Sequence, residues 1–286
     1  MILDESYTLN NGLTIPKLGL GTWMIANDIA KDAVLQAINN NYRLIDTAQA
    51  YKNEEGIGKA LNASNIRREQ IFLTDKVAAE HKTYESTLKS IDDSLAKLNT
   101  PYIDLMLIHS PQPWAEFRSE KRYFKENKAV WRALEDAKEA GKIKAIGVSN
   151  FLKDDLENIL EDCKIKPAVN QVLTHIGNTP LNLIDFCKAN NILVEAYSPI
   201  AHGEILNNKE IAAIANKYNA TIAQLCLRYV IELQMVALPK ASNLEHMIEN
   251  TKIEFDISSA DMEYLTHCKT IDNYGRFSSF PVFSGK

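Results

Sequence analysis

The chain has 286 residues, of which 45% are hydrophobic and 24% are charged, and its formal net charge at pH 7 is −5. These proportions are ordinary for a globular protein, and a chain of this length buries a core that needs no disulfide bonds. The negative charge and the lack of a long basic run argue against nucleic acid or an anionic membrane as a partner.

The remaining bulk features indicate a cytoplasmic location. The four cysteines form no CxxC pair, so we interpret them as small buried side chains in a reducing compartment. The N-terminal segment has neither a basic start nor a continuous apolar stretch, and no segment approaches the roughly 18 apolar residues of a membrane-spanning helix. We therefore expect a cytoplasmic protein, and we identify no metal-binding motif.

The predicted strands follow one another at regular intervals. Asn11-Gly12 lies between two short apolar runs, which indicates a β-hairpin at the start of the chain. Short apolar runs then recur about 31 residues apart, close to the length of one βα unit. They occupy residues 17–21, 44–46, 71–76, 104–109, 145–150, 168–171, 192–198 and 236–240.

Helical patterns fill the gaps between these runs. One apolar stripe repeats every three or four residues at Leu88, Ile91, Leu95 and Leu98, and another ends before Gly141, a typical helix C-cap. Two further stripes lie between residues 198 and 236. Eight strands alternating with helices fit either an open doubly wound sheet or a closed (β/α)₈ barrel. Because the GLGT segment is not the GxGxxG dinucleotide motif, we predict the barrel, as a single domain over residues 1–286.

Several polar side chains stand where these strands end. In a barrel the carboxyl ends of the strands meet at one face, which carries the active site. Asp46, Lys76 and His109 end three successive strands, and Tyr51 follows in the loop after the first of them. Each has an ordinary explanation alone, as a loop cap, a solvated charge or a packing residue. Together they predict one shared site.

This group of side chains is suited to proton donation. A free tyrosine has a pKa of about 10, and a nearby ammonium group favours its phenolate and lowers that pKa. Lys76 could supply the ammonium, and Asp46 could hold it in a buried ion pair. A neutral His109 could orient a carbonyl oxygen while Tyr51 donates a proton to it. None of these groups can supply a hydride, so this hypothesis requires a cofactor.

The sequence resembles the aldo-keto reductases over nearly its whole length. The resemblance rests on an ordered set of motifs: GLGTW, LIDTAQAYKNEEGIGKAL, LIHSPQPW, GKIKAIGVSNF, VNQV, EAYSP and LPKASNLEHMIEN. It implies a (β/α)₈ barrel whose N-terminal hairpin closes the bottom, and a bound NADPH or NADH without a Rossmann fold. It also implies that Asp46, Tyr51, Lys76 and His109 are the catalytic residues.

The resemblance further implies a set of cofactor contacts. Ser149, Asn150 and Gln171 would bind the nicotinamide carboxamide, and Tyr197 would stack on the ring. The full expected set is Gly21, Thr22, Trp23, Asp46, Ser149, Asn150, Gln171, Tyr197, Ser198, Lys240, Ala241, Ser242, His246, Glu249 and Asn250.

Two departures from the family pattern concern the cofactor. His246 stands where NADPH-dependent members usually carry an arginine that binds the 2′-phosphate, and histidine lacks the two-pronged guanidinium group. Ala241 stands where a hydroxyl residue often follows the lysine, although Ser242 comes next. We expect NADPH, because Lys240 still offers a positive charge, with NADH possible.

The substrate class remains broad at this stage. Trp23, Tyr51, His109 and Trp114 are the expected substrate contacts, and the tail residues Tyr274, Phe277 and Phe280 are candidate walls. Such aromatic surfaces suit a small carbonyl compound. The resemblance to the aldo-keto reductases further implies a monomer.

Two other functions are compatible with the fold. A barrel glycosidase would need two carboxylates; Glu195 could be one, but the fourth strand ends on His109 rather than on an acid. A nicotinamide-nucleotide sensor with little turnover would not need Tyr51 and His109 together.

Overall fold

Eight parallel strands pair with one another in the order in which they occur along the sequence. The edge strands of this sheet also meet, because Gly19 N donates to Ala237 O and Gly21 N donates to Pro239 O, both at 3.0 Å. The sheet therefore closes into the predicted (β/α)₈ barrel. The computed structural model describes residues 1–284, so the last two residues of the predicted domain lie outside the described residues.

The elements alternate regularly after the N-terminal hairpin. The hairpin strands are β1 (Ser6–Thr8) and β2 (Thr14–Pro16). The barrel strands are β3 (Leu20–Gly21), β4 (Leu44–Asp46), β5 (Phe72–Val77), β6 (Ile103–Ile108), β7 (Ile143–Ser149), β8 (Val169–Leu173), β9 (Leu193–Tyr197) and β10 (Val236–Leu238). The α-helices are α1 (Asn27–Asn39), α2 (Glu54–Ala63), α3 (Tyr84–Leu98), α4 (Phe124–Glu139), α5 (Lys153–Leu160), α6 (Leu181–Ala189), α7 (Lys209–Lys217), α8 (Ile222–Glu232), α9 (Leu244–Glu249) and α10 (Ser259–Thr266).

The helices form where the apolar stripes predict them. Helix α3 begins after Thr83, whose side chain accepts a hydrogen bond from Ser86 N at 3.2 Å, and it buries Ile91 and Leu98 completely. Helix α4 ends just before Gly141, which has a φ of +77°. A residue without a Cβ adopts this left-handed conformation at little cost, so Gly141 ends the helix as predicted.

The hairpin closes the bottom of the barrel. Leu9 and Ile15 are buried in the same apolar cluster as the inward-facing residues at the lower end of the strands, including Phe72 and Ala168. Asn10 also donates to Pro167 O at 2.8 Å, in the loop that enters β8. Apolar burial and this bond explain the predicted position of the hairpin.

Strand pairing brings the polar strand ends to the opposite end of the barrel. Asp46 pairs with Gly21 on one side and with Thr74 on the other, and Gln171 pairs with Ser149 and Glu195. Strand β10 ends at Leu238, two residues earlier than predicted, since Pro239 has no N–H to donate. His109 and Asn150 each lie one residue beyond their strands.

Candidate active site

A cavity of about 760 Å³ opens among the carboxyl ends of the strands. Its wall includes many of the residues expected from the sequence: Gly21, Trp23, Asp46, Tyr51, His109, Trp114, Ser149, Asn150, Gln171, Tyr197, Ser198, Lys240 and His246. The structure therefore brings expected catalytic residues and expected cofactor contacts to one cavity.

Lys76 is the centre of the polar group at the base of the cavity. It is completely buried, and its ammonium group donates to Asp46 Oδ1 at 2.7 Å, Asp46 Oδ2 at 2.8 Å and Thr47 O at 2.8 Å. Burial alone would lower the pKa of Lys76, but the charges of its neighbours, above all Asp46, raise it above the ordinary value. Lys76 is therefore a fixed ammonium ion at neutral pH.

Tyr51 lies between this ammonium ion and the cavity. Its hydroxyl is 3.4 Å from Lys76 Nζ, within hydrogen-bonding reach. Burial raises the pKa of Tyr51 to about 12, and Lys76 acts in the opposite direction without outweighing burial. The expectation of a lowered tyrosine pKa is thus wrong for the net shift. Removal from water destabilises the phenolate more than the nearby ammonium group stabilises it.

His109 forms the part of the cavity wall next to Tyr51. Burial, together with the nearby positive charge of Lys76, holds the pKa of His109 well below its ordinary value, so the imidazole is neutral. Its Nδ1 atom is buried without a hydrogen-bond partner in residues 1–284. The ring packs edge-on against Tyr51 and Trp114, with centroid distances of 5.6 and 5.0 Å. These aromatic contacts fix an uncharged hydrogen-bonding ring beside the Tyr51 ring.

Amide and hydroxyl groups line the adjoining part of the cavity. Asn150 has a φ of +62°, and its side chain donates to His109 O at 3.0 Å and accepts from the Tyr197 hydroxyl at 2.7 Å. These bonds hold the Tyr197 ring in place. Gln171 donates to both Asp46 and Glu195. Burial, reinforced by the charge of Asp46, raises the pKa of Glu195 to about 7.

The basic end of the cavity is more open. Lys240 is exposed and donates to Ser242 Oγ at 3.2 Å. His246 is exposed in the first turn of α9, where Asn243 caps the helix by accepting from His246 N at 2.8 Å. Arg276, which the sequence alone does not position, also lines the cavity.

Five of the expected cofactor contacts stand back from the cavity wall: Thr22, Ala241, Ser242, Glu249 and Asn250. The Thr22 hydroxyl donates to Asp46 O at 2.8 Å, and Ala241 is buried in the core. Glu249 pairs with Lys252. Thr22 therefore supports the strand end that carries Asp46, and Glu249 is held by a neighbouring lysine.

The C-terminal tail supplies an aromatic wall. Trp23 packs against Phe277, Phe280 and Phe283, with centroid distances of 5.9, 5.1 and 5.8 Å. Tyr274 departs from its expected place on the wall, because it is buried and bonded to His175 Nε2 at 2.9 Å. His202 and Phe283 were not identified from the sequence. Both line the cavity, but they lie in the 3₁₀ segments Ala201–Asn207 and Pro281–Phe283, whose path no local pattern predicts.

Comparison with known proteins identifies the family. The model of the Aldo/keto reductase family matches residues 17–270. The chain is 42% identical to the glyoxal reductase of Bacillus subtilis (strain 168) over 263 residues, which cover 91% of each protein. The chain belongs to the aldo/keto reductase family.

Solved structures agree with this assignment. The crystal structure of an aldo/keto reductase from Brucella melitensis matches with a TM-score of 0.85 and 40% identity, over 92% of this chain and 98% of that one. The structure of an aldo-keto reductase complexed with NADPH matches with a TM-score of 0.84 and 31% identity, over 96% and 92% of the two chains. This aldo-keto reductase is an oxidoreductase that reduces carbonyl groups.

Two buried carboxyl groups do lie close together, as a glycosidase would require, because Asp46 and Glu195 both accept from Gln171 Nε2. However, Asp46 is bound through both oxygens by Lys76, and Glu195 is completely buried. Neither arrangement leaves a carboxyl group free to reach a glycosidic bond.

Proposed function

We propose that this aldo-keto reductase uses NADPH to reduce the aldehyde or ketone group of small carbonyl compounds, with Tyr51 as the general acid. The observation that carries the proposal is the chain of hydrogen bonds from Asp46 through Lys76 to the Tyr51 hydroxyl. The Tyr51 ring lies next to a neutral histidine, His109, in the cavity wall. A substrate carbonyl oxygen within reach of both rings would meet a proton donor and a hydrogen-bond donor.

The high pKa of Tyr51 is compatible with this role. A phenol whose pKa is about 12 stays protonated at neutral pH, so it holds the proton until the carbonyl oxygen becomes an alkoxide. An alkoxide is a much stronger base than a phenolate, so the proton moves towards it. Lys76 Nζ, 3.4 Å away, then stabilises the phenolate that forms.

His109 would orient the substrate rather than transfer a proton. Because its imidazole is neutral, it can donate one N–H to the carbonyl oxygen without placing a second positive charge beside Lys76. Trp23 and Trp114 would enclose the rest of a small substrate. The similarity to a glyoxal reductase supports testing glyoxal and other small dicarbonyls first, followed by simple aldehydes and keto esters.

The polar groups along the cavity fit a nicotinamide dinucleotide. When bound, the cofactor supplies the hydride that protein side chains cannot provide. Ser149, Asn150 and Gln171 offer hydrogen-bonding groups for its carboxamide, and Tyr197 offers an aromatic face. Lys240 and His246 would hold the adenosine phosphate. The complex of a related aldo-keto reductase with NADPH supports this choice, and NADH remains an alternative because His246 replaces an arginine.

The test compares Tyr51→Phe with the wild-type enzyme. We expect kcat for NADPH-dependent reduction to fall by at least about 10², with NADPH affinity unchanged, since the variant removes only the hydroxyl. Tyr84→Phe is the matched control, because its hydroxyl bonds to Asp136 on the outer surface of the barrel. An unchanged kcat in Tyr51→Phe would refute the acid role. NADPH binding by the wild type without turnover of any carbonyl would instead favour a nucleotide sensor.

A further inference from the structure

Glu195 is a buried acid that the proposed reaction does not use. It lies inside the barrel on β9, is completely inaccessible to solvent, and its Oε1 atom has no hydrogen-bond partner in the described part of the chain. A buried carboxyl group with an unpartnered oxygen lowers stability relative to an apolar side chain of similar size. Departures of this kind from the rules of core packing are expected at functional positions.

The contacts of Glu195 show what it does to its neighbour. Its Oε2 accepts from Gln171 Nε2 at 2.8 Å, and the same nitrogen donates to Asp46 Oδ1 at 2.8 Å. Both N–H groups of the Gln171 amide are therefore committed to carboxyl oxygens. The reversed amide would place its oxygen against Asp46 Oδ1, which already accepts from Lys76, and against Glu195 Oε2 whenever Glu195 is ionised, so electrostatic repulsion disfavours that orientation.

The orientation of the Gln171 amide determines whether a hydrogen-bond acceptor or a hydrogen-bond donor faces the cavity. Gln171 lines the cavity, and its Oε1 neither accepts a hydrogen bond within residues 1–284 nor is among the fully buried unpartnered atoms. Oε1 is therefore the group of Gln171 that faces the cavity. A ligand that donates an N–H can bind there, whereas a carboxylate would be repelled.

We propose that Glu195 is a positioning residue that, together with Asp46, holds the Gln171 amide so that its oxygen accepts an N–H of the nicotinamide carboxamide. This inference rests on the proposed use of a nicotinamide cofactor. Asp46 alone would be a weaker anchor, because its Oδ1 also accepts from Lys76 at 2.7 Å. Glu195 supplies the second anchor, which prevents the amide from rotating about its last side-chain bond.

The test is a binding experiment with Glu195→Met and Glu195→Gln. Methionine has a similar length but no acceptor oxygen, whereas glutamine keeps an oxygen that Gln171 can bond to. We expect Glu195→Met to weaken NADPH binding about tenfold, equivalent to about 1.4 kcal/mol, as measured by quenching of nicotinamide fluorescence. The affinity for 2′,5′-ADP, which lacks the nicotinamide, should not change. Glu195→Gln should bind NADPH within about twofold of the wild type.

Two controls distinguish positioning from a general loss of structure. Glu135→Met removes another buried acid, which accepts from Lys164 N and Ile165 N outside the barrel, and it should leave NADPH affinity unchanged. In a Gln171→Leu background, Glu195→Met should have no additional effect, since the amide that it positions is already absent.

Several results would overturn the proposal. One is a Glu195→Met variant that binds NADPH with the affinity of the wild type. Another is a loss of affinity in that variant that is equal for NADPH and for 2′,5′-ADP. If Glu195→Met does not fold, a tenfold loss in Glu195→Gln would equally count against positioning by an acceptor oxygen. An unchanged kcat in Tyr51→Phe would refute the proposed acid but would leave this binding test intact.

Discussion

Replacing Lys76 by methionine is the most direct test of the buried charge beside Tyr51. The variant keeps most of the side-chain volume but removes the ammonium group that bonds to both Asp46 oxygens and to Thr47 O. A buried carboxylate that loses its only lysine partner destabilises a fold by about 3–5 kcal/mol. We expect a loss of this size in the free energy of unfolding, measured by urea titration at pH 7.

The effect on rate follows from the distance to the phenol. Two unit charges at the 3.4 Å that separates Lys76 Nζ from the Tyr51 hydroxyl interact by about 5 kcal/mol at an effective dielectric constant of about 20. The opposite charge of Asp46 offsets part of this attraction. A remainder of about 2.7 kcal/mol corresponds to a hundredfold loss of kcat, which steady-state assays of NADPH oxidation at saturating substrate would detect.

A second variant separates lost stability from lost chemistry. Asp46→Asn combined with Lys76→Met removes the unpaired charge, so the unfolding free energy should recover while kcat stays low. Lys128→Met is a matched control, since it removes a lysine that pairs with Glu161 and Asp162 on the surface, and it should leave kcat unchanged. Recovery of kcat in the double variant, or a normal kcat in Lys76→Met, would refute electrostatic assistance to Tyr51.

Two further predictions concern the cofactor preference and the pH dependence of stability. His246→Arg should raise the ratio of NADPH to NADH affinity about tenfold, because a guanidinium group can form two parallel bonds to a phosphate; an unaltered ratio of the measured dissociation constants would mean that the 2′-phosphate binds elsewhere. Asp75 is completely buried near Glu54, and burial, followed by the charge of Glu54, raises its pKa well above the ordinary value. A raised pKa means that the folded state binds the proton more tightly, so this contribution to stability is present below about pH 4 and is lost as pH rises through the folded-state pKa. Asp75→Asn should therefore be more stable than the wild type at pH 8 by about 1–3 kcal/mol and should equal it near pH 4. Urea titrations of both proteins at the two pH values measure this difference, and a difference that does not change with pH would contradict the prediction.

The sequence predicts the barrel because its signal is repeated and local. Eight apolar runs at even spacing determine the order of the strands, and parallel pairing then places all their carboxyl ends at one face. This arrangement alone predicts that Asp46, Lys76 and His109 are neighbours, and it adds Tyr51 because that residue closely follows one of those strand ends. The predicted first and last residues of the strands are less accurate, because they depend on which residues form hydrogen bonds with the neighbouring strands.

The parts that sequence reasoning missed depend on contacts between distant segments. Phe283 reaches Trp23 only because the tail folds back across the barrel mouth, and no periodic pattern marks such a path. The predicted lowering of the Tyr51 pKa is wrong, because a sequence reveals the neighbouring lysine but not the degree of burial. The sequence offers Glu195 only as a candidate carboxylate of a glycosidase, because its bond to Gln171 depends on the pairing of β8 with β9.

The buried network links the proposed proton donor, Tyr51, to the expected cofactor contact, Gln171, through the Asp46 carboxyl group. Asp46 Oδ1 accepts from Lys76, which faces Tyr51, and from Gln171, which faces the cavity. A substitution of Asp46 therefore changes the acid and the amide together, and its kinetic effect cannot be assigned to either. Lys76→Met removes the group that faces Tyr51 but leaves both carboxyl groups that hold the Gln171 amide, whereas Glu195→Met removes one of those carboxyl groups and leaves Lys76 in place. If both networks work as proposed, the Lys76 variant lowers kcat with little change in NADPH affinity, and the Glu195 variant does the reverse.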